Sequence, residues 1–221
     1  MLSLAVHKLE IRYPGLPAPA LDIPALFIEP GTHIALTGPS GAGKTTFINI
    51  AVGMERVRSG KVEWDGENLA AMSEGRRDRW RARNAGLVMQ DFHLFPGLSA
   101  LGNVLLPQRL SRFRLPGDMR SRALDMLARV GIDRADQPVE TMSRGQMQRV
   151  AVARALVGRP GVIIADEPTA SLDAGSGEAV ASLLLDLARE TKATLIVATH
   201  DARLTGRLDR ILQLENGWVR G

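Results

Sequence analysis

Between the apolar run His33-Ile34-Ala35-Leu36-Thr37 and a helix-like stretch from Thr45 to Val52 stand eight residues, Gly38-Pro39-Ser40-Gly41-Ala42-Gly43-Lys44-Thr45, that fit G-x-x-x-x-G-K-[ST]. In a strand–loop–helix setting this pattern builds a loop whose backbone N–H groups, with the open amino end of the helix, enclose a phosphate chain. Gly38, Gly41 and Gly43 let the main chain curl around the anion without a Cβ in the way, and Pro39, Ser40, Ala42 and Thr46 complete the cradle. Lys44 can place a point charge between the terminal phosphates, and the Thr45 hydroxyl suits Mg²⁺. The pattern predicts binding of a nucleoside triphosphate together with Mg²⁺.

A second element supports the first. Val162-Ile163-Ile164-Ala165-Asp166-Glu167 is an apolar strand ending in two carboxylates. At the carboxyl edge of a parallel sheet, Asp166 would face the metal and Glu167 would stand beside it as general base, the arrangement of a Walker B strand.

The 221 residues, 45% hydrophobic, suffice for one full α/β core. There is no cysteine, which excludes disulfides, thiolate catalysis and zinc–thiolate sites, and which fits a reducing cytosol. The start Met1-Leu2-Ser3-Leu4-Ala5-Val6-His7-Lys8 lacks the basic-then-apolar pattern of a signal peptide, and no apolar stretch approaches the roughly 18 residues of a membrane span. A net charge of +4 permits an anionic partner without requiring one.

Residues 2–13 alternate like a strand, 14–24 read as a Pro-rich turn, and Leu26 to Glu29 as a short strand. Further strands are predicted near Ser59 to Trp64, closed by the Asp65-Gly66 turn, at Ala85 to Gln90 and at Ala193 to Ala198, with a last hairpin turning at Asn216-Gly217. From Leu98 to about Arg159 the apolar spacing is helical, as it is from Val180 to Arg189. Arg76-Arg77-Asp78-Arg79-Trp80-Arg81-Ala82-Arg83 is open to two readings, a nucleic-acid patch or the solvated face of a short helix.

After the phosphate loop come Gln90, then Met142-Ser143-Arg144-Gly145-Gln146, then Asp166-Glu167-Pro168-Thr169, Ser171-Leu172-Asp173 and His200. In this order and spacing the chain resembles the ATP-binding-cassette (ABC) ATPases over essentially its whole length. The resemblance implies an α/β fold: a P-loop NTPase (RecA-like) core with an antiparallel β flank, residues 1–90 and 160–221, and an inserted helical subdomain at about 91–159, together one domain over 1–221. It implies ATP hydrolysis with Glu167, His200 and Gln90 as catalytic residues, and Mg²⁺ held by Thr45, Gln90 and Asp166. Tyr13 falls where the family stacks adenine, with a half-buried strand tyrosine as the other reading. Ser143, Arg144, Gly145 and Gln146 form the signature, which in the family meets the ATP of the opposing subunit, and Asp173 lies in the loop that reports across that interface.

The family therefore implies a second copy of the chain as partner, and closure of the pair on ATP to drive a separate integral membrane permease from the cytoplasmic face of the membrane. Gln90-Asp91-Phe92-His93-Leu94-Phe95-Pro96, Asn103-Val104-Leu105-Leu106-Pro107 and Ala198-Thr199-His200-Asp201-Ala202-Arg203-Leu204 resemble the lipoprotein-release and macrolide-efflux (LolD- and MacB-like) branch, whose permeases have four spans. Phe92 to Phe95 suit either a groove for the permease's coupling helix or packing between lobes. The chain departs from the pattern at Arg144, where the signature has glycine; a cation in the first turn of a helix opposes its dipole. Two readings are open: Arg144 faces ATP or an acidic group of the opposing subunit, or it points to solvent. No nucleic acid is expected, the alternative being a soluble ABC ATPase acting on nucleic acid or ribosomes.

Overall fold

In the computed structural model, residues 1–111 and 114–220 are described. The helical stretch expected over 98–159 crosses 112 and 113, and the last residue of the expected domain is 221, all outside the described residues.

The first strands build an antiparallel flank. β1 (Leu4–Ile11) pairs with β2 (Leu21–Ile28) on one side and β4 (Ser59–Trp64) on the other, and β4 continues through Asp65-Gly66 into the two-residue β5 (Glu67–Asn68). In each of β1 and β2 two alternating pairs are buried, Leu4 and Val6 then Leu9 and Ile11 against Leu21 and Ile23 then Leu26 and Ile28, the period of a sheet covered on one face. The phase breaks in β1 where its register against β4 shifts between His7 and Glu10 and Lys8 is left-handed. The Pro-rich turn expected over 14–24 is shorter than that, because β2 already begins at Leu21. Pro24 is tolerated inside it since β2 is the sheet's edge and an edge strand can spare a donor.

The second sheet is the scaffold of the site. β3 (His33–Thr37), β6 (Ala85–Val88), β7 (Val162–Asp166), β8 (Thr194–Ala198) and β9 (Arg210–Glu215) run parallel, with β10 (Trp218–Arg220) antiparallel at one edge, in the order β10-β9-β3-β8-β7-β6. β7 and β8 are buried along their whole length, which is why they read as unbroken apolar runs. Alternate residues serve opposite faces. Val162, Ile164, Ile196 and Ala198 join α1 (Lys44–Ala51) and the antiparallel sheet in one core, whereas Ile163, Ala165, Leu195 and Val197 join the helices of the other side.

Those helices include α3 (Ala100–Ser111), α4 (Met119–Arg129) and α5 (Arg144–Leu156) between β6 and β7, then α6 (Ala174–Thr191), and after β8 the single turn α7 (Ala202–Thr205). α6 starts six residues before the predicted Val180. Gly175, Ser176 and Gly177 are poor helix formers, but Asp173 caps the turn by accepting from the Ser176 N–H at 2.9 Å.

The arginine run lies on α2 (Glu74–Asn84), and the structure gives it a third role. Trp80 is buried against Trp64, while Arg77 Nε donates to Gly53 O at 3.0 Å and Arg81 Nη1 to Val52 O at 3.2 Å. With Trp64 Nε1 on Ala51 O at 2.6 Å, these donors satisfy the orphan carbonyls at the end of α1, where a cation also complements the helix dipole.

Candidate functional site

β3 delivers the chain into the loop at Gly38, and α1 leaves it at Lys44. The N-cap of α1 is Gly43, left-handed at φ 101° and without a side-chain cap, and its first turn carries no acid, so the helix start presents free N–H groups to an anion. The glycines have separate reasons. A Cβ at Gly38 would lie 2.1 Å from Leu214 O and one at Gly43 2.7 Å from Ala20 O, so the protein itself, as well as a phosphate, requires them bare. Lys44 Nζ lies back on the loop, donating to Gly38 O at 2.7 Å and Pro39 O at 3.1 Å. Pro39, Ser40 and Gly41 are exposed, Ala42 is buried and Thr46 half-buried. Tyr13 stands two residues beyond β1, 37% exposed, its hydroxyl bonded to Glu55 Oε1 at 2.5 Å; burial and then Glu55 raise its pKa.

The carboxyl ends of β7 and β8 bring the acids to this loop. Thr45 Oγ1 donates to Asp166 Oδ2 at 3.0 Å. Burial, then the Glu167 charge, push the Asp166 carboxyl up, partly opposed by the Thr45 bond and Lys44. Glu167 turns off the strand in a left-handed conformation, φ 45°, with its N–H on Ala198 O at 2.9 Å. Oε1 of Glu167 lies 2.9 Å from His200 Nδ1, and the Glu167 side chain is 15% exposed against 76% for His200. The Nδ1 contact engages that ring nitrogen and leaves Nε2 for another partner. Thr45 and Asp166 offer hard oxygen donors fit for Mg²⁺, and among the described residues no group of three or more His, Cys, Asp or Glu could hold a metal. An ion held by two protein oxygens and completed by phosphate and water is the Mg²⁺ pattern.

Gln90, the third expected metal ligand, is exposed two residues past β6; its carbonyl accepts from Ser171 Oγ at 3.4 Å, and its side chain makes no hydrogen bond to Thr45 or Asp166. Next to it Phe92 and His93 are both left-handed, φ 55° and 47°. Arg154 of α5 holds both carbonyls, with Nη2 at 2.6 Å from Phe92 O and Nη1 on His93 O. Phe92 is buried and Leu94 half-buried, as packing between lobes expects, while His93 and Phe95 are exposed.

At the start of α5, Ser143 accepts from the Gln146 N–H at 3.2 Å while Gln146 Oε1 accepts from the Ser143 N–H at 2.9 Å, a complete capping box. Arg144 is exposed but engaged within the chain: Nε donates to Ser171 O at 2.9 Å and the guanidinium lies 5.2 Å from the centroid of the Phe92 ring. Residues 143–146 make hydrogen bonds to one another and to Ser171, none to residues 38–46. Sequence reasoning missed Arg154 and Glu55, and also Gln148, fully buried with Nε2 on Pro168 O at 2.7 Å and Oε1 unpartnered. It gave no role to Asn103, buried, whose amide holds Phe95 N at 2.7 Å and Phe95 O at 3.2 Å. Only a buried polar residue inside an apolar helix pattern could have flagged the last two.

Residues 21–170 match the family described as ABC transporter. The lipoprotein-releasing system ATP-binding protein LolD of Pseudomonas fluorescens is 39% identical over 193 residues, 87% of this chain and 85% of its own. The ABC transporter ATP-binding protein YbbA of Escherichia coli is 44% identical over 196 residues, 88% of this chain and 86% of its own. Among solved structures, the ATP-binding cassette MJ0796, a dimer in a post-hydrolysis state bound to ADP and Pi, superposes with a TM-score of 0.88 at 33% identity, covering 99% of this chain and 97% of that one.

Proposed function

The chain belongs to the ABC transporter family as an ATP-binding, ATP-hydrolysing subunit of its LolD- and MacB-like branch, and from that premise we propose which residues do the work and what the subunit drives. The observation that carries the assignment is the meeting of Thr45–Asp166 and Glu167–His200 at the mouth of the loop.

ATP enters with its phosphates in the loop at 38–46 and its adenine against Tyr13. Lys44 leaves the Gly38 and Pro39 carbonyls for the terminal phosphates. When bound, Mg²⁺ on the Thr45 hydroxyl and the Asp166 carboxylate supplies neutralising charge to those phosphates. Glu167, one oxygen occupied by His200, offers Oε2 to the attacking water and orients it in line; His200 keeps Nε2 for the γ-phosphate. Hydrolysis follows by positioning and charge stabilisation, without a covalent enzyme intermediate. Gln90 enters the site only when the segment around it moves.

A single chain supplies half a site. The capped start of α5, with the Ser143 hydroxyl and Gly145 N–H, is an anion-facing surface that does not bond its own loop, which supports a head-to-tail pair of copies, each completing the other's nucleotide site. No helix among the described residues is long and apolar enough to cross a membrane; we assign the spans to a four-span permease at whose cytoplasmic face the pair is peripheral, with Phe95 and His93 as its contact and lipoprotein release as the driven process. The nucleic-acid reading loses its anchor, since Trp80, Arg77 and Arg81 are engaged within the fold.

The test is a pull-down of the Glu167→Gln chain from detergent-solubilised native membranes with Mg²⁺ and ATP, followed by mass spectrometry. A four-span permease is expected; recovery of ribosomes or DNA-bound proteins alone overturns the reading.

A further inference from the structure

Arg144 occupies the first turn of α5, where it should oppose the helix dipole. Its side chain is turned away from the helix axis onto two neutral acceptors of positive charge, the Ser171 carbonyl and the face of Phe92. Each belongs to a different segment. Phe92, 6% exposed and left-handed, sits in the segment that begins at Gln90 and is held from behind by Arg154. Ser171 precedes Asp173, the cap of α6, and its hydroxyl returns to Gln90 O. Close packing also joins the signature start to the first turn of α6, since a Cβ at Gly145 would lie 3.2 Å from Ser176 Oγ.

We propose that Arg144 is a positioning residue that fastens three segments of one subunit, the signature start at 143–146, the Gln90–His93 segment and the Ser171–Asp173 segment, into a unit that moves as one during the ATP cycle. A glycine at this position has no side chain with which to do so. The proposal rests on the ATPase reading above, and it places Arg144 off the nucleotide: losing it impairs turnover by letting the three segments move separately, without weakening ATP binding.

The experiment measures steady-state ATPase kinetics and amide hydrogen exchange in the full chain and in three variants, Arg144→Gly, Arg144→Lys and Phe92→Leu. For Arg144→Gly, kcat is expected to fall about 10-fold, the scale of a modest misplacement of groups remote from the chemistry, with KM for ATP within about twofold. Exchange should quicken at both 90–93 and 170–173. Phe92→Leu, which leaves the charge in place, should move the same way, and Arg144→Lys, which keeps a cation over the ring without the planar Nε donor, should recover part of the loss. Unchanged kcat and exchange in Arg144→Gly overturn the proposal; so does a raised KM with kcat unchanged, which would put the guanidinium on the nucleotide of the opposing copy. Failure of the unsubstituted chain to hydrolyse ATP would instead strike the underlying reading.

Discussion

Thr45 Oγ1 and Asp166 Oδ2 are hydrogen-bonded at 3.0 Å across 121 positions of sequence, so the two oxygens expected to receive the metal are already held side by side. The Thr45 hydroxyl could keep donating to Asp166 while a lone pair of its oxygen received Mg²⁺, so the ion would meet a pair already assembled. Thr45→Ala is expected to lower ATP affinity roughly 10–100-fold in Mg²⁺, the worth of one hydrogen-bonded or ligating contact to a charged group, and to leave affinity in EDTA unchanged. Isothermal titration with and without EDTA checks this, and Thr45→Ser should behave as the parent.

Burial holds the Asp166 carboxyl above its ordinary value of 3.8. The folded chain therefore binds that proton more tightly than the unfolded chain. The stability this contributes is full below the ordinary value and is lost as pH rises through the raised one, so at neutral pH the ionised Asp166 works against the empty fold. Asp166→Asn keeps an acceptor for Thr45 and is expected to raise Tm without nucleotide at pH 7, the gain shrinking toward pH 4, while ATPase activity is lost. Thermal melts across that range decide it; a lower Tm at pH 7 would contradict the burial argument.

Ser143 caps α5 and, in the proposed pair of copies, faces a phosphate; one substitution separates the two. As N-cap of α5 it accounts for about 1 kcal/mol, so Ser143→Ala should cost roughly 2–4 °C in Tm. As the hydroxyl facing the other copy's phosphate it should matter far more to turnover. The ATP-trapped dimer of the Glu167→Gln chain is expected to disappear on size exclusion when Ser143→Ala is added, and a dimer of normal stability would leave Ser143 as a cap only.

Gly38 is required by the fold itself, because a Cβ there would stand 2.1 Å from Leu214 O and φ is 145°. Gly38→Ala should destabilise by about 2 kcal/mol or more, roughly 4–8 °C in Tm. Gly41, with open space around its missing Cβ at φ 79°, should lose less on the same change, and differential scanning calorimetry of the two variants ranks them.

The elements legible in the sequence were those whose local pattern and tertiary setting agree. β3, β7 and β8 carry unbroken apolar stretches, Ile34–Leu36, Val162–Ala165 and Leu195–Ala198, because both faces are covered, and the Asn216-Gly217 turn is left-handed at both residues, as its dipeptide demands. The elements that escaped depend on partners far along the chain. Nothing near Leu21 announces that β2 is an edge strand where Pro24 is harmless, and nothing near Gly175 shows a helix whose first turn rests on the Asp173 cap. The site divides in the same way. The residues proposed as ligands were named from motif spacing, but the grip of Arg154 on Phe92 and His93, 62 and 61 positions away, and of Arg144 on Ser171, 27 away, exists only in three dimensions.

Consecutive isoleucines of β7 belong to different neighbourhoods, Ile163 to the helices carrying the signature and Ile164 to the core around the phosphate loop. A methylene trimmed from one slackens only its own side of the partition. The wall between the halves is thus also an insulator: in descendants of such a chain, the lobe that carries the signature can be reshaped by substitutions one position away from those that would disturb the phosphate loop, and the loop need not change with it.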